Sequence, residues 1–233
     1  MQRSVSPEVM DDPALPANAL AQALTGLARL NTVSGSFGRI FRELESELKL
    51  RGRPLRVLDI ACARGDFVLA AARAAAARNL QLSFSGCDIN SQSIELASAS
   101  AAKESHPCTF FQHDAIGSAL PKGFDICIAS LFFHHLQETD AIDLLRNMAS
   151  SSACVIVNDL VRSPLNLVSI SLASRVLTRS PVVHTDAALS ARAAFTRNEL
   201  LEFAARAGIG GAGGATIKFG GISRMMLVWR NTF

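Results

Sequence analysis

Five polar side chains stand where short apolar runs stop. They are Asp59 after Arg56-Val57-Leu58, Asp88 after Leu80 to Cys87, Asp114 after Cys108 to Gln112, Ser130 after Phe124 to Ala129, and Asp159 after Cys154 to Val157. Acidic residues gathered at one edge can accept hydrogen bonds from ligand hydroxyls and amines. Asp88 suits the paired hydroxyls of a ribose, and Asp59 suits a ligand amine or the ordering of its own turn. Any one of them alone reads as a turn former or helix cap; the series on one rim points to a ligand. A second kind of chemistry comes from histidine, whose ordinary pKa fits it to take a proton near neutrality. His134 and His135 follow Ser130 closely and His184 lies further on, so each is a candidate base, although packing at the start of a helix accounts equally well for the first two. His113 reads as orienting the loop that carries Asp114, and His106 as facing solvent.

The elements that must position these groups alternate. The run Arg56 to Ile60 passes through Ala61-Cys62-Ala63-Arg64-Gly65 into an Ala-rich helical pattern, Phe67 to Arg78, which reads as strand, tight turn and helix start. Small residues let the backbone approach a ligand there, and the helix start offers unpaired N–H groups. Helices follow at Ser91 to Lys103, with Ser91 as candidate cap, and at Glu138 to Ala149. Strands alternating with helices predict a mainly parallel sheet covered on both faces, with ligands outside the carboxyl ends of its strands.

Other segments frame this core. Residues 1 to about 12 are polar, contain Pro and have no period, which predicts disorder. Pro16 to Leu30 and Arg39 to Leu50 read as helices separated by a break from Asn31 to Gly38, a pair that can pad the sheet or serve as a lid hinged at Gly35 and Gly38. Pro164 to Leu177 is an apolar helical stretch, and Arg179 to Leu189 reads as irregular around Pro181 and His184. Thr196 and Glu199 form a capping box opening a helix to about Ala207. Gly208 to Gly214 reads as a flexible loop, and Ala215 to Phe219 with Arg224 to Trp229 as a closing antiparallel pair.

Composition narrows the classes. With 233 residues, 49% hydrophobic and 18% charged, the chain can bury one sizeable core. A net charge of +3 without a dense Lys/Arg block argues against nucleic acid. Every apolar run is interrupted before membrane-spanning length, and no basic-then-apolar leader opens the chain, so a cytoplasmic protein without integral membrane association is expected. The five cysteines are odd in number and lack metal-ligand spacing. They read as small buried residues kept reduced, no metal is expected, and Cys62 alone lies beside the presumed ligand.

Taken in order, these motifs resemble the class I S-adenosylmethionine-dependent methyltransferases from about Arg56 to Asp159. Asp59-Ile60-Ala61-Cys62-Ala63-Arg64-Gly65 is similar to that family's acidic-plus-glycine first motif, with Ala61 and Ala63 in two of the three glycine positions. Phe124-Asp125-Ile126-Cys127 through His134-His135-Leu136 resembles the fourth-strand motif of the small-molecule branch, quinone-biosynthesis relatives included. Leu27-Ala28-Arg29-Leu30-Asn31 with Gly35, Asn158 to Pro164, and Ala194-Phe195-Thr196 resemble methyltransferases associated with polyketide biosynthesis.

The resemblance implies an α/β, Rossmann-like fold: a three-layer α-β-α sandwich with a mostly parallel seven-stranded sheet, N-terminal helices and an inserted helical lid. It implies a helical cap over 1–50 and a methyltransferase domain over 51–233, with the insertion at about 160–195. The implied cofactor is S-adenosyl-L-methionine, held by Asp59, Ala61, Cys62, Ala63, Gly65, Asp88, Ile89, Asp114, Ala115, Ser130 and Leu131. Asp88 would take the ribose and Asp114 the adenine amino group, with Ala115 or Ile116 near the ring.

The expected acceptor is a small, largely apolar phenolic, quinone-like or polyketide-type molecule, methylated on oxygen first and carbon second. Phe37, Phe41, Phe132, Phe133 and the Leu165–Leu177 helix are expected near the mouth. No Asn-Pro-Pro-Tyr-type run follows the fourth strand, which argues against amino-group methylation of nucleic acid. A monomer or homodimer is expected. The alternatives are an NAD-dependent oxidoreductase, which shares the strand–turn–helix and the second-strand acid, and a catalytically silent S-adenosylmethionine-binding protein.

Overall fold

In the computed structural model of the chain, residues 1–12, 14–211 and 214–231 are described. Two helices, α1 (Ala17–Ser34) and α2 (Ser36–Arg51), precede β1 (Leu55–Ile60), α3 (Asp66–Ala77), β2 (Leu82–Asp88), α4 (Ser91–Ala101) and β3 (Cys108–Gln112). Then come β4 (Ile126–Ser130), α5 (Glu138–Ser151), β5 (Cys154–Leu160), α6 (Pro164–Leu177), α7 (Pro181–Ala193), α8 (Arg197–Arg206), β6 (Thr216–Gly221) and β7 (Arg224–Arg230). The strands form one seven-stranded sheet in the order β3-β2-β1-β4-β5-β7-β6. All neighbours are parallel except β7, which runs antiparallel to β5 and β6. The strand order reverses between β1 and β4, so the carboxyl ends of those two strands flank the crevice where such sheets bind ligands.

Strand alternation supplies two apolar faces. Leu58, Ile60, Cys127, Val155 and Val157 meet Leu144, Leu145 and Met148 of α5 and Phe203 of α8. On the other face Val57, Ile126, Ile128 and Ile156 meet Ile40, Phe41 and Leu44 of α2 and Val68 and Ala71 of α3. Glu47 of α2 is wholly buried and paired with Arg51 and Arg230, which ties that helix to the sheet.

Several expectations need correction. Residues 1–12 are not disordered: they lie as a strap across α7 and the turn after β4, as described below. The Asn31–Gly38 break narrows to Gly35, left-handed at φ 69°, because the Thr32 and Ser34 hydroxyls bond carbonyls of their own helix and allow α1 to run on. The segment Arg179 to Leu189 falls largely within a helix, since Pro181 sits in the first turn and the Ser180 hydroxyl accepts the Val183 N–H. At α4 the cap is Asn90 rather than Ser91, its side chain accepting the Ser93 N–H. Phe41 and Phe133 are core residues, not mouth residues. Residues 212–213 of the Gly208–Gly214 loop lie outside the described residues.

Candidate active site

The turn after β1 is held in an uncommon backbone shape. Ala61 (φ 54°), Ala63 (φ 47°) and Gly65 (φ 75°) are all left-handed, a region that disfavours any residue with a Cβ. The turn keeps its course through three hydrogen bonds: Cys62 N–H to the Cys87 carbonyl, Gly65 N–H to the Cys62 carbonyl, and Ala63 N–H to Asp88 Oδ2 at 2.8 Å. Gly65 has a packing reason as well, since a Cβ there would stand 2.5 Å from the Phe110 ring. The alanines therefore adopt the path that glycine favours, at the cost of strain.

The acids gather on this rim. Asp88 accepts from Ala63 and, through Oδ1, from the Asn90 N–H at 2.9 Å, which leaves further lone pairs on both oxygens. Asp114 accepts the Gly117 and Ile116 N–H groups through Oδ1, and these bonds hold its carboxyl below the usual range. Asp59 is buried and has no hydrogen-bond partner among the described residues. Burial, reinforced by the neighbouring Asp88 charge, pushes its pKa up to about 8. A buried carboxyl without a donor is costly unless a ligand supplies one.

Apolar side chains frame the acids. Ile89 is 64% exposed and Ile116 37%, one beyond each of β2 and β3, with Ala115 buried beside them. The Cys62 thiol is buried, and burial raises its pKa, so it is a packed neutral group rather than a nucleophile. Ser130 ends β4, and Leu131, left-handed at φ 56°, donates its N–H to the Asn158 carbonyl at 2.9 Å.

The histidines part company. His134 is buried in the short turn Phe133–His135; its Nδ1 lies 2.7 Å from Asp159 Oδ1, and its backbone N–H donates to Asp159 Oδ2 at 3.0 Å. On the other side its Nε2 is 3.7 Å from Glu8. Burial alone would lower the His134 pKa, but the two carboxylates overcome it and push it to about 9, so the ring is an imidazolium at neutral pH. His135 keeps part of its surface open to solvent while its ring packs against His134, centroids 4.2 Å apart; that partial desolvation, with the His134 charge, lowers its pKa. It is the neutral partner. His184 is elsewhere, its Nε2 against the Thr178 carbonyl at 3.0 Å where α6 meets α7. His113 has its Nε2 buried without a partner, and its N–H donates to the Asp88 carbonyl.

Sequence reasoning missed Glu8 and the strap that carries it. Arg3 donates to the carbonyls of Ala193, His134 and Leu136 and stacks 4.0 Å over the Phe195 ring. Asp186 accepts the Val9 and Met10 N–H groups, and Glu8 bonds Ser190. Each partner is remote in sequence, so no local period announces the segment. Among the described residues Glu8, His134 and His135 bring possible ligand atoms within 4.8 Å of one another, and the Glu8–His134 ion pair accounts for two of the three.

Residues 57–152 match the family model described as a methyltransferase domain. No curated protein matches the chain. Among solved structures, the plantazolicin methyltransferase BamL, in complex with a triazolic desmethyl analogue and S-adenosylhomocysteine, shares 17% identity over 91% of each chain with a TM-score of 0.69. The magnesium protoporphyrin IX methyltransferase of Synechocystis PCC 6803, with bound S-adenosylhomocysteine, shares 17% identity over 88% of this chain and 94% of its own, with a TM-score of 0.55. An O-methyltransferase structure from Nostoc punctiforme PCC 73102 shares 18% identity over 97% of this chain and 63% of its own, with a TM-score of 0.60. These likenesses establish the shared seven-stranded fold.

Proposed function

We propose that the rim of this chain, whose residues 57–152 match a methyltransferase domain, binds S-adenosylmethionine and that the methyl group passes to a small, largely apolar acceptor, with oxygen the favoured nucleophile. The observation that carries this reading is the convergence of an unpartnered buried Asp59, a half-engaged Asp88 and the bracket of Ile89, Ala115 and Ile116 on one crevice. Asp59 suits an ammonium group, Asp88 a pair of hydroxyls, and the two isoleucines the faces of a purine with Asp114 at its edge. The cofactor, when bound, supplies a methyl group already activated on a sulfonium.

What remains for the protein is alignment and, for a hydroxyl acceptor, proton removal. Alignment alone is worth about 7–11 kcal/mol of a barrier. His135 is the candidate base because it is exposed and uncharged, whereas His134 already holds its proton between Asp159 and Glu8. His184, engaged with a backbone carbonyl, has the weaker claim. The match of residues 57–152 to a methyltransferase domain favours this reading over the oxidoreductase alternative. Formation of S-adenosylhomocysteine with phenolic and quinone-like acceptors tests the proposal. Cofactor binding without turnover on any of them would leave a silent binding protein instead.

A further inference from the structure

Helix α6 carries apolar side chains on two sides. Ile170, Ala173 and Leu177 face α1. Leu165, Val168, Leu172 and Val176, spaced three, four and four residues apart, form a second line that is 56–83% exposed. Val33 near the end of α1 and Ile222 in the β6–β7 turn border the groove between α1 and α6 and are each more than half exposed. Hydrogen bonds tie these parts into one surface: the Ile222 N–H donates to the Ser34 carbonyl, and Asn166 of α6 donates to the Ser223 carbonyl. Single exposed leucines are ordinary, but a contiguous apolar patch marks an interaction site.

The charge on this face has one sign. Residues 13–42, 160–185 and 203–233, which supply α1, α6 and the β6–β7 hairpin, contain no Asp or Glu, although the whole chain has 20. The acids that flank these stretches are engaged. Asp186 accepts the Val9 and Met10 N–H groups, Glu43 pairs with Lys218 and Arg230, Asp159 holds His134, and Asp12 accepts the Ala14 N–H. Arg29 of α1, Arg175 near the end of α6 and Arg179 just beyond it are all exposed. Arg175 bonds only the Ser171 carbonyl of its own helix, and Arg29 and Arg179 have no hydrogen bond or ion pair among the described residues. These last two line a recess of about 430 Å³ with Gln22, Thr25 and Thr178, and Val176, the end of the apolar line, borders it as well. Gly26 lets α1 approach there, since a Cβ would stand 2.4 Å from Thr178 Oγ1. A pair of unneutralised guanidiniums thus opens directly off an exposed hydrocarbon stripe.

We propose that this face rests on an anionic phospholipid bilayer, with the α6 line entering the acyl boundary and Arg29, Arg175 and Arg179 meeting the phosphates. Helices with an apolar face and basic flanks bind in this way, through buried apolar area together with attraction to anionic lipid. The association is peripheral, since among the described residues no helix is long and apolar enough to cross a membrane. A second copy of the chain is the poorer occupant, because a two-fold contact sets the same arginines against each other with no carboxylate between them. Nothing in the proposal depends on the methyltransferase reading.

The test is cosedimentation of the full chain with vesicles of phosphatidylcholine alone and with vesicles containing about one-third phosphatidylglycerol. Three cations at about fivefold each give about a hundredfold preference for the anionic vesicles at low salt, and added salt should shrink it. Leu172→Asp and Val176→Asp change exposed positions and should each weaken binding to anionic vesicles about tenfold or more. Replacing Arg29 and Arg179 together by Ser should cut the preference to about fivefold. Leu50→Asp, at a position 70% exposed on α2, should bind as the wild type does. Equal partition onto the two vesicle types, no partition onto either, or undiminished binding by Leu172→Asp overturns the proposal. A wild type that forms dimers which Leu172→Asp dissolves assigns the face to a second copy and overturns it too. Binding to polyglutamate as tight as to anionic vesicles does the same in favour of an acidic chain.

Discussion

Replacing Ala61 and Ala63 by glycine should stabilise this protein, although alanine-to-glycine changes usually do the reverse. Both residues sit in the left-handed region, at φ 54° and 47°. A Cβ there costs about 1–2 kcal/mol per residue. Glycine removes that cost but gives back about 0.4–1 kcal/mol through its greater freedom in the unfolded chain. Ala63 is exposed and loses no packing; Ala61 is half-buried and forfeits part of a methyl group worth about 0.8 kcal/mol when fully buried. The net is about 0.5–1 kcal/mol for Ala63→Gly and less for Ala61→Gly. For a chain of this size the double variant should gain about 2–4 °C in Tm. Urea and thermal unfolding read the effect, with Ala70→Gly in the interior of α3 as a control that should lose about 1 kcal/mol. If the double variant melts below wild type, the left-handed turn is not the ground state, and the hydrogen bond from Ala63 to Asp88 goes with it.

Asp88→Ala should weaken S-adenosylmethionine binding by about 1.5–3 kcal/mol for each ribose hydrogen bond lost, and Asp114→Ala by less; calorimetry on folded variants that found no change for Asp88→Ala would remove the ribose assignment. Asp59, with its pKa near 8, should release most of a proton at pH 7 when the cofactor ammonium arrives, seen as buffer-dependent binding heats that vanish in Asp59→Asn. His134 has a folded pKa of about 9 against an ordinary 6.5, so its contribution to stability is complete below pH 6.5 and lost as pH rises through 9. Asp159, held low, contributes above its ordinary 3.8 and loses that as pH falls through its lower folded value. Urea melts should therefore weaken from pH 6.5 to 9, and His134→Gln should flatten that decline. If His135 is the base, the rate at saturating substrate rises only through an acidic limb below 6.5 and is flat above it. His135→Gln should then cost about 10²–10⁴-fold, whereas a limb near pH 9 would transfer the role to His134.

The legible parts of the fold were those whose limits are set by neighbouring residues. The strand Cys108–Gln112 and the helix Pro164–Leu177 have the bounds read from sequence, the latter because Ser163 caps it and proline fills its first turn. One helix later the same chemistry is less legible: Ser180 and Pro181 open α7, yet proline in that stretch reads as a breaker. The acids were legible as a series because a parallel sheet brings the ends of its strands together whatever the loops do. Their individual states were not. Nothing in Asp59's neighbours in sequence says that its carboxyl lacks a donor, and nothing near His134 announces Glu8, more than a hundred residues away. The apolar helix α6 shows the same limit: Ile170, Ala173 and Leu177 line a small cleft beside α1, whereas Leu165, Val168, Leu172 and Val176 point to solvent.

The strap gives the two histidines different tasks. His134 is a charged wedge: Asp159 holds it from β5, Glu8 from the strap, and its carbonyl takes a bond from Arg3. An imidazolium so placed binds two distant segments together, and for that reason it has no free site for another proton. Its charge lies 4.2 Å, ring to ring, from His135 and disfavours a second one, which keeps His135 neutral at the pH where a base is useful. Asp59 and Arg224 pose the complementary problem, a buried acid that accepts no hydrogen bond among the described residues and a buried guanidinium whose Nε has no partner. Carboxylates flank His134 on both sides, whereas those two keep unmet polar atoms. The first holds the fold together; Asp59 lies where the cofactor is proposed to bind.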